Sequence, residues 1–324
     1  MADLGTETGI EITNLSFGYT KERLFSDLDL TLRGGNIYGL LGKNGAGKTS
    51  LLKLICGLRF PDAGSCSVLG WEPRHRPAAL LEDIYFLPEE FYTPPISADL
   101  YRQIYAPFYP RFDAEAFREY LGEFDLPSKK RLSELSYGQK KKFLLAFGLS
   151  TRCRLVLLDE PTNGLDIPSK SQFRKLLARA GEEDRIILIS THQVRDMENL
   201  IDPIIILDEG KIIFQQPMYQ VTRCLQVEVQ MEQPSGDAVL YSEKALGGYV
   251  VVRKNESGEE TQLDLETLFN TVVANRDRIQ ELFVQEDMKV QEDMKVPEHM
   301  KVPENTKVAD DQNSASGDST GGLA

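Results

Sequence analysis

Four glycines precede a lysine and two hydroxyl residues in the stretch GLLGKNGAGKTS, which spans residues 39–50. Glycine inside a helix or strand costs about 0.5–1 kcal/mol relative to alanine, so this cluster needs a compensating role. Residues 36–41 have the pattern of a short buried strand, and the leucines after residue 50 recur at helical spacing. At a strand-to-helix turn, backbone N–H groups converge on an anion that the positive end of the helix also attracts. The stretch therefore predicts an anion-binding loop.

The spacing Gly42-x-x-x-x-Gly47-Lys48-Thr49 is typical of a loop that binds the phosphates of a nucleotide. In this pattern the lysine reaches the terminal phosphates, and the hydroxyl that follows it binds Mg²⁺. A glycine-rich turn that matches by accident is the alternative. The predicted strand before the loop and the predicted helix after it favour the nucleotide.

Two predicted buried strands end in polar residues. Asp159 and Glu160 follow the apolar run LVLL, where two carboxylates are unfavourable unless a cation or a water molecule uses them. His192 ends the next apolar run, although a lone histidine is more often structural. Because α/β sheets bind ligands at the carboxyl ends of their strands, we expect these side chains to share one site.

A further candidate stretch is LSYGQ at residues 135–139, which precedes a helical pattern. Ser136 and Gly138 at a helix start would offer a hydroxyl and backbone N–H groups to a phosphate. Ordinary helix capping explains the same residues.

The composition indicates a folded, acidic protein of 324 residues. Hydrophobic residues make up 41 %, and 37 basic residues stand against 50 acidic ones, for a net charge of −13. An acidic surface repels nucleic acid, so no direct nucleic-acid partner is expected. Four scattered cysteines without a C-x-x-C pair indicate reduced thiols in a cytoplasmic protein. We find no signal-peptide pattern and no apolar run of the roughly 18 residues that cross a bilayer.

Apolar patterns predict an α/β domain. Residues 10–38 alternate as strands do, while short apolar runs at 154–158 and 186–190 flank a helical pattern at 169–180. Such runs predict parallel strands that are buried on both faces of a sheet. We also expect a helix at 193–200, and a hairpin that turns at 208–210.

The pattern changes twice towards the carboxyl end. Residues 224–283 predict a small α+β appendage, in which the segment 249–258 has the pattern of a hairpin and the last helix ends near 283. Hexapeptide repeats such as VQEDMK and VPEHMK then begin, and we predict a disordered tail over 284–324. A short linear motif for a partner is the alternative reading of the tail.

The order and spacing of GKNGAGKT, LSYGQ, LVLLDEP, TNGLD and STH resemble the ATP-binding cassette (ABC) family over roughly residues 10–215. The likeness is greatest to ATPase subunits of bacterial exporters of the ABC-2 type. It implies an α/β fold: a P-loop NTPase cassette over residues 1–223 with a mostly parallel sheet core, N-terminal antiparallel strands and an inserted helical subdomain at about 90–150. It also implies an ATPase that uses ATP and Mg²⁺.

The resemblance implies a role for each matching position. Tyr19 would stack on adenine, although a tyrosine that packs across strands is the alternative. Glu160 would orient or deprotonate the attacking water. His192 and Lys48 would act with it at the γ-phosphate. The residues implied in nucleotide binding are Tyr19, Gly42, Lys43, Asn44, Gly45, Ala46, Gly47, Lys48, Thr49 and Ser50, and those implied in binding Mg²⁺ are Thr49, Asp159 and Glu89.

The resemblance also implies partners. Two cassettes of the family sandwich two nucleotides head to tail, so Ser136, Gly138 and Gln139 would act on ATP held by a second subunit, which we expect to be a copy of the same chain. Asp166 would lie at that interface. A multi-span transmembrane permease subunit would hold the protein at the inner face of the cell membrane.

Two positions depart from the family pattern. Tyr137 stands where the family has glycine in its signature, and Glu89 stands where a glutamine is common. After Glu89 the segment 91–112 is rich in aromatic residues. These either pack a helical subdomain or, where exposed, anchor the membrane subunit.

The sequence thus favours an ATP-hydrolysing subunit that powers a membrane transporter, an exporter by resemblance, through ATP-driven closure of a dimer. One alternative is a soluble ABC ATPase that acts on nucleic acid or ribosomes. The other is a regulatory half of a heterodimeric cassette pair. The transported substrate is not encoded in this chain.

Overall fold

The computed structural model describes residues 9–20, 22–127, 130–181, 184–198, 200–256 and 261–293. The described residues between 9 and 283 form one compact unit. The strands are β1 (Ile10–Tyr19), β2 (Glu22–Leu32), β3 (Asn36–Leu41), β4 (Ala63–Val68), β5 (Ile84–Leu87), β6 (Leu155–Asp159), β7 (Ile186–Thr191), β8 (Ile204–Asp208), β9 (Lys211–Gln216), β10 (Leu225–Gln230), β11 (Val239–Ala245) and β12 (Gly248–Lys254). The α-helices are α1 (Lys48–Ile55), α2 (Ala78–Leu81), α3 (Ala98–Tyr105), α4 (Ala114–Glu123), α5 (Tyr137–Ser150), α6 (Ile167–Ala180), α7 (Met218–Cys224), α8 (Leu265–Ala274) and α9 (Arg276–Asp293).

A six-stranded central sheet has the order β5-β6-β7-β3-β8-β9. Its strands pair in parallel except at the edge, where β9 is antiparallel to β8. Every residue of β6 is buried, and its side chains alternate between two hydrophobic cores on opposite faces of the sheet. This confirms the parallel sheet that the apolar runs predict, because a strand covered on both faces has no polar side to show.

The first core lies between the central sheet and an antiparallel sheet of order β2-β1-β4. Helix α1 contributes Leu51, Leu52 and Ile55 to this core. The glycine-rich loop is therefore fixed at both ends, because β3 lies in the central sheet and α1 packs beneath the N-terminal strands.

The second core lies on the other face and contains the helical subdomain. Aromatic rings fill it: Phe147 on α5 contacts Tyr101, Phe112 and Phe117 at centroid distances of 5.1, 5.1 and 5.8 Å. The rings of Tyr101 and Phe117 pack edge-to-face with Phe147, which stabilises the subdomain beyond area burial alone. The packing positions the start of α5, which carries the signature stretch.

Residues 225–254 form a third sheet of order β10-β12-β11. Helices α8 and α9 follow, and Leu268, Val272 and Ile279 are buried in the same core as the central sheet. No helix in the described ranges has the length and apolarity to cross a bilayer.

Three expected elements differ from the structure. Among the described residues of the segment 193–200, only Val194–Met197 are helical, as a short 3₁₀ turn that ends where the backbone of Glu198 is extended. The hairpin of the appendage turns at Leu246-Gly247, between β11 and β12, where Ala245 pairs with Gly248 and Gly247 has a φ of +89°. In the described residues β12 pairs with β10 and β11 rather than with a strand after it, and residues 257–258 of the predicted turn lie outside the described residues.

The last helix continues to Asp293 rather than ending near 283. The first proline of the repeats is Pro297, so the sequence before it contains no helix breaker. The remainder of the predicted disordered tail, residues 294–324, lies outside the described residues.

Candidate nucleotide site

Three loops meet at the carboxyl edge of the central sheet. The strands β6, β7 and β3 are neighbours, so Asp159 pairs with Ser190 and Leu41 pairs with Thr191 at the ends of the ladders. The loops that follow these strands surround a cavity of about 520 Å³. It is lined by Tyr19, Leu24, Lys43, Asn44, Gly45, Gly47, Lys48, Thr49, Ser50, Glu89, Asp159, Glu160 and His192.

The glycine-rich loop needs its glycines. Gly45 and Gly47 have φ values of +85° and +107°, which side chains with a Cβ rarely adopt. A Cβ on Gly47 would also come within 2.7 Å of the ring of Phe25. The loop therefore exposes backbone beside the start of α1, which is the arrangement that binds a phosphate at a helix N-terminus.

Lys48 is buried at the base of this loop, with 7 % of its surface exposed. Its Nζ donates to the carbonyl of Gly42 at 2.7 Å and lies 3.8 Å from Oε1 of Glu160. Burial lowers the pKa of Lys48, while Glu160, Asp159 and Glu89 oppose that shift. The ammonium is thus held at the cavity by loop carbonyls and is available to an anionic ligand.

The carboxylate of Asp159 is 1 % exposed and lies beside two hydroxyls. Thr49 Oγ1 donates to Oδ2 of Asp159 at 2.7 Å, and Ser190 Oγ donates to Oδ1. The donor set of one hydroxyl and one carboxylate, with Glu89 on the same cavity, fits Mg²⁺, which takes few protein ligands together with substrate phosphates. In the described part of the chain, no group of three or more His, Cys, Asp or Glu residues forms an all-protein metal cage.

Glu160 is 4 % exposed and receives three contacts from the last residue of β7 and the first residue after it. Its Oε1 accepts from the backbone N–H of His192 at 3.0 Å and lies 2.7 Å from His192 Nδ1. Its Oε2 accepts from Thr191 Oγ1 at 3.2 Å. The structure therefore fixes both oxygens of this carboxylate.

Tyr19 lies at the rim of the cavity with 43 % of its surface exposed. Its hydroxyl and Ser50 Oγ are 3.1 Å apart. The edge of the ring packs on Phe17 at 5.0 Å, and Arg59 lies 5.7 Å from the ring centroid. A planar, half-exposed ring in this place is suited to stack on a base.

Two loop residues that the sequence predicts to bind nucleotide, Gly42 and Ala46, do not line the cavity. The carbonyl of Gly42 receives the Lys48 ammonium, and a Cβ on Gly42 would clash with the carbonyl of Leu207 at 2.5 Å. Ala46 is 9 % exposed, and its N–H donates to the carbonyl of Lys43.

The signature residues do not line this cavity. Ser136 and Gln139 form a reciprocal capping box at the start of α5, and Asp166 caps α6 by accepting from the N–H of Ser169. Neither these residues nor Gly138 are among the described residues that line the cavity. One chain therefore does not bring them to its own Lys48 and Glu160.

The two departures from the family pattern contact each other. The Tyr137 hydroxyl donates to the backbone carbonyl of Glu89 at 2.8 Å, and its ring stacks on Phe91 at 5.1 Å. The ring also covers Gly164, where a Cβ would come within 2.8 Å of it. Tyr137 thus links the signature stretch, residues 135–139, to the loop after β5 that contains Glu89.

Sequence reasoning assigned no role to several residues at the site. They are Leu24, Lys141, Asn163, Ser190, Thr191 and Gln193. Asn163 links two loops, since its Nδ2 donates to Glu89 Oε1 at 2.9 Å and its Oδ1 accepts from Gln193 at 3.0 Å. Asn163, Ser190 and Thr191 stand inside the motifs TNGLD and STH, and Gln193 follows His192, so their position in or beside a motif was the available signal.

A family model described as "ABC transporter" matches residues 25–163. The ABC transporter ATP-binding protein YtrB of Bacillus subtilis is 33 % identical over 209 residues, covering 63 % of this chain and 70 % of YtrB. The chain belongs to the ABC transporter ATP-binding protein family.

Two further likenesses agree with this membership. The Nod factor export ATP-binding protein I of Burkholderia orbicola is 32 % identical, over 63 % of this chain and 69 % of that protein. A solved ATP-binding subunit of an ABC transporter superposes with a TM-score of 0.61 at 25 % identity, over 67 % of this chain and 92 % of that one. Membership of this family supports ATP binding by the cassette.

Proposed function

We propose that this cassette hydrolyses ATP with Mg²⁺ and powers a membrane transporter. The observation that carries the proposal is the meeting of Lys48, Asp159, Glu160 and His192 at one cavity. In this proposal Lys48 holds the terminal phosphates, and Tyr19 stacks on the adenine. Glu160 takes a proton from the attacking water, because its carboxylate is fixed beside Lys48 and His192.

The same proposal assigns residues to bind Mg²⁺. Thr49, Asp159 and Glu89 would hold Mg²⁺, which when bound neutralises charge on the phosphates. Hydrogen bonds from Thr49 and Ser190 keep the Asp159 carboxylate oriented towards the cavity in advance. His192 would contact the γ-phosphate.

A second copy of the chain would complete the site. Ser136, Gly138 and Gln139 lie at the start of the 14-residue helix α5 and do not line the chain's own cavity. A helix N-terminus attracts phosphate, so this one would bind the phosphates of ATP that a second copy holds. Asp166 would lie at the interface, and ATP binding would close the dimer.

The membrane partner would contact the helical subdomain. Of the aromatic residues after Glu89, Phe91, Tyr101, Tyr109 and Phe112 pack inward, whereas Tyr92 and Phe108 are 81 % and 65 % exposed. Exposed aromatic side chains make strong anchors in interfaces. We assign the contact with a multi-span permease to this surface, which places the protein at the cytoplasmic side of the membrane.

Export is the direction we propose, on the strength of the Nod factor export relative. The domain boundaries in this proposal are 1–223 for the cassette, 224–283 for the appendage and 284–324 for the tail.

Phosphate release by the purified chain tests the proposed activity. We expect ATP hydrolysis that depends on added Mg²⁺ and stops on addition of EDTA, because Thr49 and Asp159 hold the metal only together with the nucleotide. Equal phosphate release with and without Mg²⁺, or none in either case, would contradict the proposal.

A further inference from the structure

A lysine outside the recognised motifs is completely buried beside the proposed catalytic base. Lys141 lies one turn into α5 and has 0 % of its surface exposed. Its Nζ donates to the backbone carbonyl of Glu160 at 2.7 Å and to that of Asn163 at 3.0 Å. The same atom lies 5.5 Å from the centroid of the Tyr137 ring. Two carbonyls thus accept hydrogen bonds from the ammonium, and the aromatic ring adds a cation–π contact.

The two carbonyls belong to one turn. Glu160 and Asn163 are its first and last residues, and the N–H of Asn163 also donates to the Glu160 carbonyl at 3.3 Å. Lys141 therefore binds both ends of the turn that follows β6. Because Glu160 is the first residue of the turn, the conformation of the turn determines the position of the Glu160 carboxylate.

The backbone of Glu160 is in a conformation that needs such support. Its φ is +47°, in the left-handed region that a residue with a Cβ rarely adopts. Its N–H donates to the carbonyl of Ser190 at 3.0 Å, on the side of β7. Lys141 holds the carbonyl on the side of α5, so the peptide groups on either side of Glu160 are both fixed. Strained residues of this kind persist only where the surroundings determine them.

Charge explains why the buried ammonium is tolerated. Burial lowers the pKa of Lys141 to about 8, while Glu89, Glu160 and Asp159 act in the opposite direction. A buried cation is strongly unfavourable unless hydrogen bonds and nearby opposite charges compensate it. Two carbonyls accept from Lys141 Nζ, and the carboxylates of Glu89, Glu160 and Asp159 attract it. Lysine therefore fits this position, where an apolar side chain would leave two carbonyls without their donor.

We propose that Lys141 is a positioning residue for ATP hydrolysis: it holds the Glu160 carboxylate in place through the turn and couples that turn to the signature helix α5. The coupling continues through Tyr137 and Asn163, which both bind Glu89. This inference rests on the proposed ATPase function, because it assigns the means by which the base is oriented.

Lys141→Met tests the inference, with Lys142→Met as its matched control. Lys142 is the next residue on α5, and its Nζ also donates to a backbone carbonyl, that of Phe124 at 3.2 Å, away from the cavity. We expect Lys141→Met to lower kcat about 10- to 100-fold, since a small misplacement of a catalytic group costs about that much. The Kd for ATP should stay within about threefold, and Lys142→Met should match the wild type in both quantities.

A double variant separates positioning from a general structural role. In the Glu160→Gln background the base is already lost, so adding Lys141→Met should cause no further loss in single-turnover hydrolysis. A full additional loss, or a kcat and an ATP affinity that fall together in Lys141→Met, would overturn the inference.

The outcomes also distinguish failure of this inference from failure of the proposed ATPase function. A wild-type chain that hydrolyses ATP and a Lys141→Met variant with unchanged kcat would overturn the inference alone. A wild-type chain without hydrolysis would overturn the proposed function instead. If Lys141→Met does not fold, Lys141→Gln removes the charge and shortens the reach, and an unchanged kcat in that variant would equally overturn the inference.

Discussion

Replacement of Glu160 with glutamine is expected to lower kcat about 1000-fold while ATP stays bound. The amide cannot accept a proton from water, and a positioned general base contributes about 10²- to 10⁴-fold to a rate. Glutamine keeps an oxygen that accepts from the His192 N–H, so the loop after β7 should retain its place. Phosphate release and equilibrium binding of ATP, measured on the same preparation, check both parts of the prediction.

The control for this variant is Glu134→Gln, which removes the same charge from an exposed position outside the cavity. It should leave kcat unchanged. Loss of ATP binding in Glu160→Gln, or hydrolysis at the wild-type rate, would show that Glu160 does not act as the base.

Replacement of Lys48 with methionine is expected to weaken ATP binding about 100-fold, which corresponds to about 2.7 kcal/mol. The ammonium is 7 % exposed, so its attraction for phosphate is poorly screened by water. Methionine has a similar length and fills the same space without charge. Titration with a fluorescent ATP analogue measures the change in Kd.

Lys53→Met is the matched control, because Lys53 lies on the same helix α1 but does not line the cavity. It should bind the analogue as the wild type does. Thermal unfolding of both variants would show whether the fold is intact. A Lys48→Met chain that is folded and binds ATP with unchanged Kd would contradict the assignment of this cavity.

The parts of the fold that the sequence predicts are those in which local pattern and tertiary packing agree. The run at Leu155–Leu158 is apolar because β6 is covered on both faces, so the pattern alone indicates its place. Glycines at 45 and 47 mark the loop because the backbone there needs positive φ. The helix predicted at 193–200 was wrong. The apolar spacing of this segment is typical of a helix, but the backbone leaves the helical region at Glu198.

The parts that sequence could not predict depend on contacts between distant segments. Lys141 is one of three consecutive lysines, and nothing in that run distinguishes the buried one from its neighbours. Tyr137 and Glu89 are separately unusual in sequence, but their contact exists only because α5 packs beside the loop after β5. Helix capping by Ser136 was one of two interpretations that the sequence left open, and the structure shows Ser136 and Asp166 each capping its own helix.

The central claim, that this cassette drives a membrane partner, is tested most directly by co-purification. Glu160→Gln protein would be isolated with ATP and Mg²⁺ from detergent-solubilised membranes of its native host, beside a version that also carries Tyr92→Ser and Phe108→Ser. The account predicts that a multi-span membrane protein accompanies the first and is lost from the second. Recovery of only soluble chains, ribosomes or nucleic acid with the first would contradict it.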